Sequence, residues 1–213
     1  MKKDLFYNIL DSKRKAILPF LKNFKDEFYL AGGTGLALQI GHRDSIDFDF
    51  FSQKTFDTKK LFEKIQKIFK NQKLKKIQEE KNTLTVTIDK EIKLSFFYYP
   101  YKLVKEKIDA EYFFLASKED IGCMKLSSII SRAVMRDFVD LYFLLQEKRL
   151  LELLLLSEKK FPELDRNLIL KSLVYFEDIS PEPINFKKGK KITLLEIKNF
   201  LVGEVKKYLN KEF

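Results

Sequence analysis

Two aspartates, Asp47 and Asp49, stand two residues apart in the run Ile46-Asp-Phe-Asp-Phe-Phe51, and Gly32-Gly33-Thr34 lies twelve residues before them. Alternate side chains of a strand share a face, so Asp47 and Asp49 project together while Ile46, Phe48 and Phe50 take the opposite side. Carboxylates about 7 Å apart along a pleat, framed by apolar residues, repel each other and lose hydration. A divalent cation relieves both effects. Mg²⁺ suits such a pair because it takes a few carboxylates and keeps places for water and substrate phosphate. Gly32 and Gly33 let the backbone approach a ligand closely. The N–H groups that open a following helix attract phosphate, and Thr34 adds a hydroxyl. The stretch therefore predicts a metal pair, Asp47 and Asp49, beside a phosphate cradle of Gly32, Gly33 and Thr34. That equipment holds a Mg²⁺–NTP complex.

The elements that must position these groups follow from pattern. Phe28 to Ala31 is a short apolar strand, Gly32 opens a helix ending near Gly41, and Ile46 to Phe51 is a second strand. Residues 3–24 carry an apolar helical face (Leu5, Ile9, Ile17, Leu18, Leu21) that Pro19 is expected to break or kink. A basic amphipathic helix at 59–70 is followed by a strand at 73–79 and by alternating runs around the turn Asp89-Lys90-Glu91, which predict a hairpin. From residue 117 the pattern is helical, with helices at 118–133, 136–148, 150–159, 165–177 and 192–210 and an extended connector Ser180-Pro-Glu-Pro183. Ser117 with Asp120 resembles a capping box. The expected fold is α+β: a mixed β-sheet with helices over 1–115, then an α-helical domain over 116–213, with a ligand cleft between them.

The helical half contains a second polar group. Lys125, Ser128 and Arg132 share one helix face; Asp137 and Asp140 share another, with Arg136 four residues before Asp140. Two readings stand side by side. Lys125 or Arg132 pairs with Asp137 or Asp140 in a buried network between helices, or Lys125 holds phosphate oxygens while an aspartate orients it. In the loop before Asp47, Arg43 and Ser45 are candidates for nucleotide contact and His42 for stacking on a base.

The residues Ala31-Gly-Gly-Thr-Gly-Leu-Ala-Leu-Gln-Ile-Gly-His-Arg-Asp-Ser-Ile-Asp-Phe-Asp-Phe-Phe51 resemble the AbiEii/AbiGii-type toxins of the nucleotidyltransferase superfamily, whose signature is a Gly-Gly/Ser turn followed by an Asp-x-Asp strand. The block 117–145 extends the likeness, because Lys125, Asp137 and Asp140 stand where that family carries a Lys and then an Arg/Lys-Asp-x-x-Asp motif. The resemblance implies a nucleotidyltransferase-like fold. It also implies Mg²⁺-dependent transfer of NMP from an NTP to a hydroxyl on RNA (tRNA) or protein, and a toxin with a cognate antitoxin. The site it implies comprises Asp47, Asp49, Lys125 and Asp140 as catalytic residues, and Gly32, Gly33, Thr34, Arg43, Ser45, Lys125 and Asp137 around the nucleotide. One departure stands out. Many active members carry a third carboxylate on a later strand, and here Ser95 occupies the natural place.

Composition narrows the remaining classes. With one cysteine, Cys123, the 213-residue chain forms no internal disulfide, which fits a reducing, cytoplasmic setting; one histidine and one cysteine argue against zinc and against a Ser-His-Asp triad. No apolar run approaches the length of a membrane span. The net charge of +10 is concentrated in two windows, 59–81 (nine Lys against three Glu) and 186–213 (eight Lys against three Glu), which favour a nucleic-acid partner. Against the transferase stand two other readings. One is a catalytically weak nucleotide- or nucleic-acid-binding protein lacking the third acid; the other is an interaction protein whose aspartates face solvent.

Overall fold

The computed structural model describes residues 5–179 and 182–210. Of the expected elements, the first two residues of the 3–24 helix, and Ser180 and Pro181 of the connector, lie outside them. The chain forms two compact units. The first holds the chain up to Gly41, Ser45–Lys102 and Glu106–Ser117; the second holds His42–Asp44, Leu103–Lys105 and the chain from Lys118 on.

The first unit is built on seven strands: β1 (Tyr29–Leu30), β2 (Asp47–Ser52), β3 (Leu74–Glu80), β4 (Thr83–Ile88), β5 (Ile92–Tyr98), β6 (Ile108–Asp109) and β7 (Phe114–Leu115). They form one mixed sheet in the order β3-β4-β5-β2-β1-β7-β6. β2 runs parallel to β5 and antiparallel to β1, while β1 runs parallel to β7. β6 and β7 carry no legible sequence signal, since two residues are too few to show a period of two.

Alternation decides which way the sheet faces. Phe48 and Phe50 of β2 are fully buried, as are Leu84, Val86, Leu94 and Phe96 of β4 and β5. They join Ile17, Leu18 and Leu21 of helix α1 (Ser12–Leu21) and Leu61 and Ile65 of helix α3 (Thr58–Ile68) in one core. Phe96 is its hub, with ring centroids 5.3 Å from Phe50, 5.1 Å from Phe24 and 5.0 Å from Phe28. Each such pair adds about 0.5–1.5 kcal/mol beyond burial, which gives the abundant phenylalanine a structural use. The single helix expected over 3–24 is instead a 3-10 turn at Tyr7–Ile9, α1 and a second 3-10 turn at Lys22–Phe24. Pro19 does not end α1. It sits exposed in the last turn, where the carbonyl it fails to reach can bond water.

Helix α2 (Gly32–Ile40) connects β1 to the loop before β2, and Thr34 through Ile40 are buried. Gly41 ends it in the left-handed region at φ 68°, its N–H bonded to the Ala37 carbonyl at 2.8 Å.

The second unit consists of helices α4 (Lys118–Ser131), α5 (Met135–Leu145), α6 (Leu150–Lys160), α7 (Arg166–Leu173) and α8 (Leu194–Leu209). α4 packs on α5, α6 and α7, and α8 closes over α5, α6 and α7. Thr193 and Glu196 cap α8 reciprocally. The Asp120 carboxylate, besides opening α4, accepts from the N–H groups of Val104 and Lys105 and pairs with Lys160 at 2.8 Å.

Candidate active site

In the first unit, Asp47 and Asp49 share the face of β2 opposite Phe48 and Phe50 and are half-buried where the phenylalanines are fully buried. Glycine is required beside them. Gly32 begins α2 at φ +63°, and a Cβ there would stand 2.9 Å from Asp49 Oδ2. The absent side chain thus lets the Asp49 carboxylate come against the first turn of a helix, whose free N–H groups favour negative charge. The backbone reinforces this, for the Ala31 N–H donates to the Asp49 carbonyl at 3.0 Å. Gly32→Ala would meet both the left-handed backbone and the carboxylate. A loss of about 1–2 kcal/mol in urea unfolding is expected.

The Thr34 hydroxyl, expected to meet phosphate, is 1% exposed and bonds inside the fold. It donates to the Asp47 carbonyl and shares a 2.7 Å hydrogen bond with the Ser45 hydroxyl. Since a carbonyl only accepts, Ser45 supplies the proton of the second bond. Thr34 and Ser45 therefore fix the start of β2 relative to α2 rather than presenting hydroxyls to a ligand.

Arg14, which carried no signal in the sequence, has a comparable role. Although 6% exposed, its guanidinium donates to the carbonyls of Ile46 at 2.7 Å and Glu91 at 2.8 Å and pairs with Asp11. It ties the residue before Asp47 to the turn before β5.

Across the ladder, Ser95 pairs in register with Asp49 and Lys93 with Asp47. Ser95 is 2% exposed, so the position expected for a third carboxylate holds a buried hydroxyl. Among the described residues no cluster of three or more His, Cys, Asp or Glu could hold a metal unaided. Two carboxylates beside a glycine-opened helix fit a cation that also takes water and phosphate oxygens.

The other expected site residues form a charge cluster within the second unit. Asp140 is fully buried on α5. Arg43 grips it with two parallel bonds, Nε to Oδ1 at 2.7 Å and Nη2 to Oδ2 at 2.9 Å. Lys125 Nζ on α4 lies 2.6 Å from Asp140 Oδ2 and 2.6 Å from Asp137 Oδ1, and Arg132 bonds Asp137 Oδ2 at 3.0 Å. His42 lies 2.8 Å from Asp140 Oδ1 through Nε2. Burial by itself would raise the Asp140 pKa, but the Lys125 ammonium and the Arg43 guanidinium hold it well below the usual carboxylate range. An ionised carboxylate only accepts, so His42 Nε2 carries the proton.

These positions differ from the expected roles in ways burial explains. His42 is fully buried, with its ring 5.0 Å from that of Phe143, and cannot stack on a base. Arg43 is 3% exposed and spent on Asp140, not on phosphate. Asp140 has no surface from which to serve as a catalytic carboxylate, and Lys125 and Asp137 are bound to each other.

Burial lowers the His42 pKa below 6.5, with Arg43 and Lys125 pushing the same way against the pull of Asp140. The native histidine is thus neutral where the unfolded one binds a proton. Stability should hold above pH 6.5 and fall as pH drops below it through the depressed native value, by up to ~1.4 kcal/mol per pH unit. The lowered Asp140 adds a second loss, beginning near its unfolded value of 3.8 and continuing below. Urea midpoints measured from pH 8 to 4 should show the first loss in the wild type and a flatter profile in His42→Gln.

A sequence model of the AbiEii nucleotidyltransferase toxins of type IV toxin–antitoxin systems matches residues 20–200, which span both units. The chain belongs to the AbiEii nucleotidyltransferase toxin family. This AbiEii-family chain is 39% identical over 190 residues to an uncharacterized protein of Aquifex aeolicus, covering 86% of this chain and 89% of that protein. The crystal structure of JHP933 from Helicobacter pylori superimposes with a TM-score of 0.57 at 20% identity, over 95% of this chain and 96% of the other. MenT4, a nucleotidyltransferase toxin of Mycobacterium tuberculosis, gives 0.55 at 14% identity over 91% and 80%. Both share the fold. Family and fold place the chain with nucleotidyl transfer in a toxin–antitoxin setting, and no helix among the described residues is long and apolar enough to cross a membrane.

Proposed function

We propose that this AbiEii-family chain transfers NMP from an NTP to a hydroxyl on RNA, with pyrophosphate leaving, and that Asp47 and Asp49 are the residues that carry the reaction. The observation behind this is the Asp49 carboxylate lying against the first turn of α2 at the one point where Gly32 leaves room for it. Asp47 and Asp49 would hold Mg²⁺, and the Gly32–Gly33 backbone would receive phosphate oxygens. When bound, the cation supplies charge neutralisation on the triphosphate and the departing pyrophosphate. The protein's own work is positioning. Thr34, Ser45 and Arg14 hold both ends of the α2–β2 connection, so the carboxylates meet the substrate already oriented.

Lys125, Asp137, Asp140 and Arg43 are positioning residues in this reading. Their cluster fixes His42–Asp44, the segment that directly precedes Ser45. The basic helix α3 and strand β3 support RNA, with tRNA the acceptor the family resemblance implies. Lys59, Lys60, Lys67, Lys70, Lys73 and Lys75 are all exposed on α3, on β3 and in the turn between them. A cognate antitoxin would restrain the activity in the cell.

The deciding experiment mixes the protein with Mg²⁺, each α-labelled NTP in turn, and cellular RNA or protein. Label on RNA that is lost in Asp47→Asn supports the proposal, and label on protein alone would move the acceptor. Nucleotide binding with no label in any lane would favour a binding-only protein, a reading that the buried Ser95 opposite Asp49 keeps in play.

A further inference from the structure

Asp47 already has a cation beside it. Lys93, its partner across the β2–β5 ladder, places Nζ 2.8 Å from Asp47 Oδ2. The side chains are 41% and 30% exposed, so the pair adds little to stability. Its position is more telling than its strength. The two register rows of this face read Asp47–Lys93 and Asp49–Ser95, and β4 extends them with Thr87 and Thr85. None of these β4 and β5 partners is an acid. The four central side chains carry a formal charge of −1, where a site with a third carboxylate and no lysine would carry −3.

Two divalent cations a few ångströms apart need carboxylates to offset their mutual repulsion, and this face has one carboxylate fewer and one ammonium more than such a site. We propose that Lys93 is the resident second cation of the site: its ammonium at Asp47 limits the chain to one divalent cation with its nucleotide. This rests on Asp47 and Asp49 forming the cation–nucleotide site. The ammonium is a point charge tethered to β5, so it offsets Asp47 without needing a third acid to hold it. It also competes with the entering divalent cation for the same carboxylate.

Titration of the full chain with Mn²⁺, followed by the electron paramagnetic resonance signal of the free ion and with a non-hydrolysable NTP analogue present, tests this. One Mn²⁺ per wild-type chain is expected. Lys93→Met should bind that ion about tenfold more tightly, because a positive charge near the site is gone. Lys93→Arg, which restores the charge, should return to the wild-type affinity. Lys93→Met should also lose transfer activity despite tighter metal binding, a combination that a purely structural lysine would not produce. Two Mn²⁺ per wild-type chain, or an unchanged affinity in Lys93→Met, would overturn the proposal and leave the nucleotide site standing. No Mn²⁺ bound by the wild type would remove both.

Discussion

Asp47→Asn is expected to lower nucleotidyl transfer by about a thousandfold or more while moving the urea midpoint very little. The carboxylate sits on a solvent-reachable face, and its ion pair with Lys93 joins two partly exposed side chains. The fold therefore has little to lose. Catalysis has more at stake, since the substituted amide keeps the shape but carries no charge for a cation. Removing one preorganised electrostatic group commonly costs two to three orders of magnitude in rate, and removing a carboxylate that, as proposed, holds the cation should exceed that. Asp49→Asn should behave alike. Substantial transfer remaining in both variants, with stability unchanged, would place the chemistry elsewhere in the chain.

The converse is expected of Asp140→Asn, a loss of about 3–5 kcal/mol of stability measured by urea unfolding. Lys125 and Arg43 are 6% and 3% exposed and share this carboxylate as their common anion. Neutralising it leaves two buried cations without the anion they share, and the penalty for an unpaired buried charge exceeds the net worth of the pair that held it. Lys125→Met is the informative companion. It removes one of the cations and should recover part of the stability that Asp140→Asn loses. If Asp140→Asn changed stability by less than about 1 kcal/mol and yet abolished transfer, the carboxylate would be catalytic rather than positioning.

How much of this could be read from the chain differs between the two sets of residues. The Asp47–Asp49 face followed from a period of two, and Gly32 from the turn that precedes a helix; both are local rules, and both elements stand where those rules put them. The register that sets Ser95 opposite Asp49 and Lys93 opposite Asp47 is a long-range fact, because β2 and β5 are parallel strands far apart in sequence. Alternation in β5 placed Lys93 and Ser95 on one face, but no local signal said which residue of β2 each would meet. Arg14 was illegible for a similar reason: its partners are backbone carbonyls near residues 46 and 91. The charge cluster was half legible. Helical spacing put Asp137 beside Asp140 and allowed a buried network with Lys125 or Arg132. That Arg43 and His42, about a hundred residues away, complete it is a matter of tertiary packing. The short strands β6 and β7 never rose above background, since pairing rather than propensity makes them strands.

The membership of His42–Asp44 in the second unit bears on how the protein is made. A nascent chain leaves the ribosome from its N-terminus, and domains generally fold as they emerge. Here Arg43 is synthesised long before the aspartate that neutralises it, so the helical unit cannot be completed from its own contiguous stretch. A chain interrupted before residue 140 has Lys125 and Arg43 without their central anion. An expressed fragment beginning at residue 118 lacks the arginine and histidine that bond that anion. Neither piece can complete the helical unit alone. Premature termination or cleavage in the middle of the chain would then leave that unit unfinished and open to proteolysis.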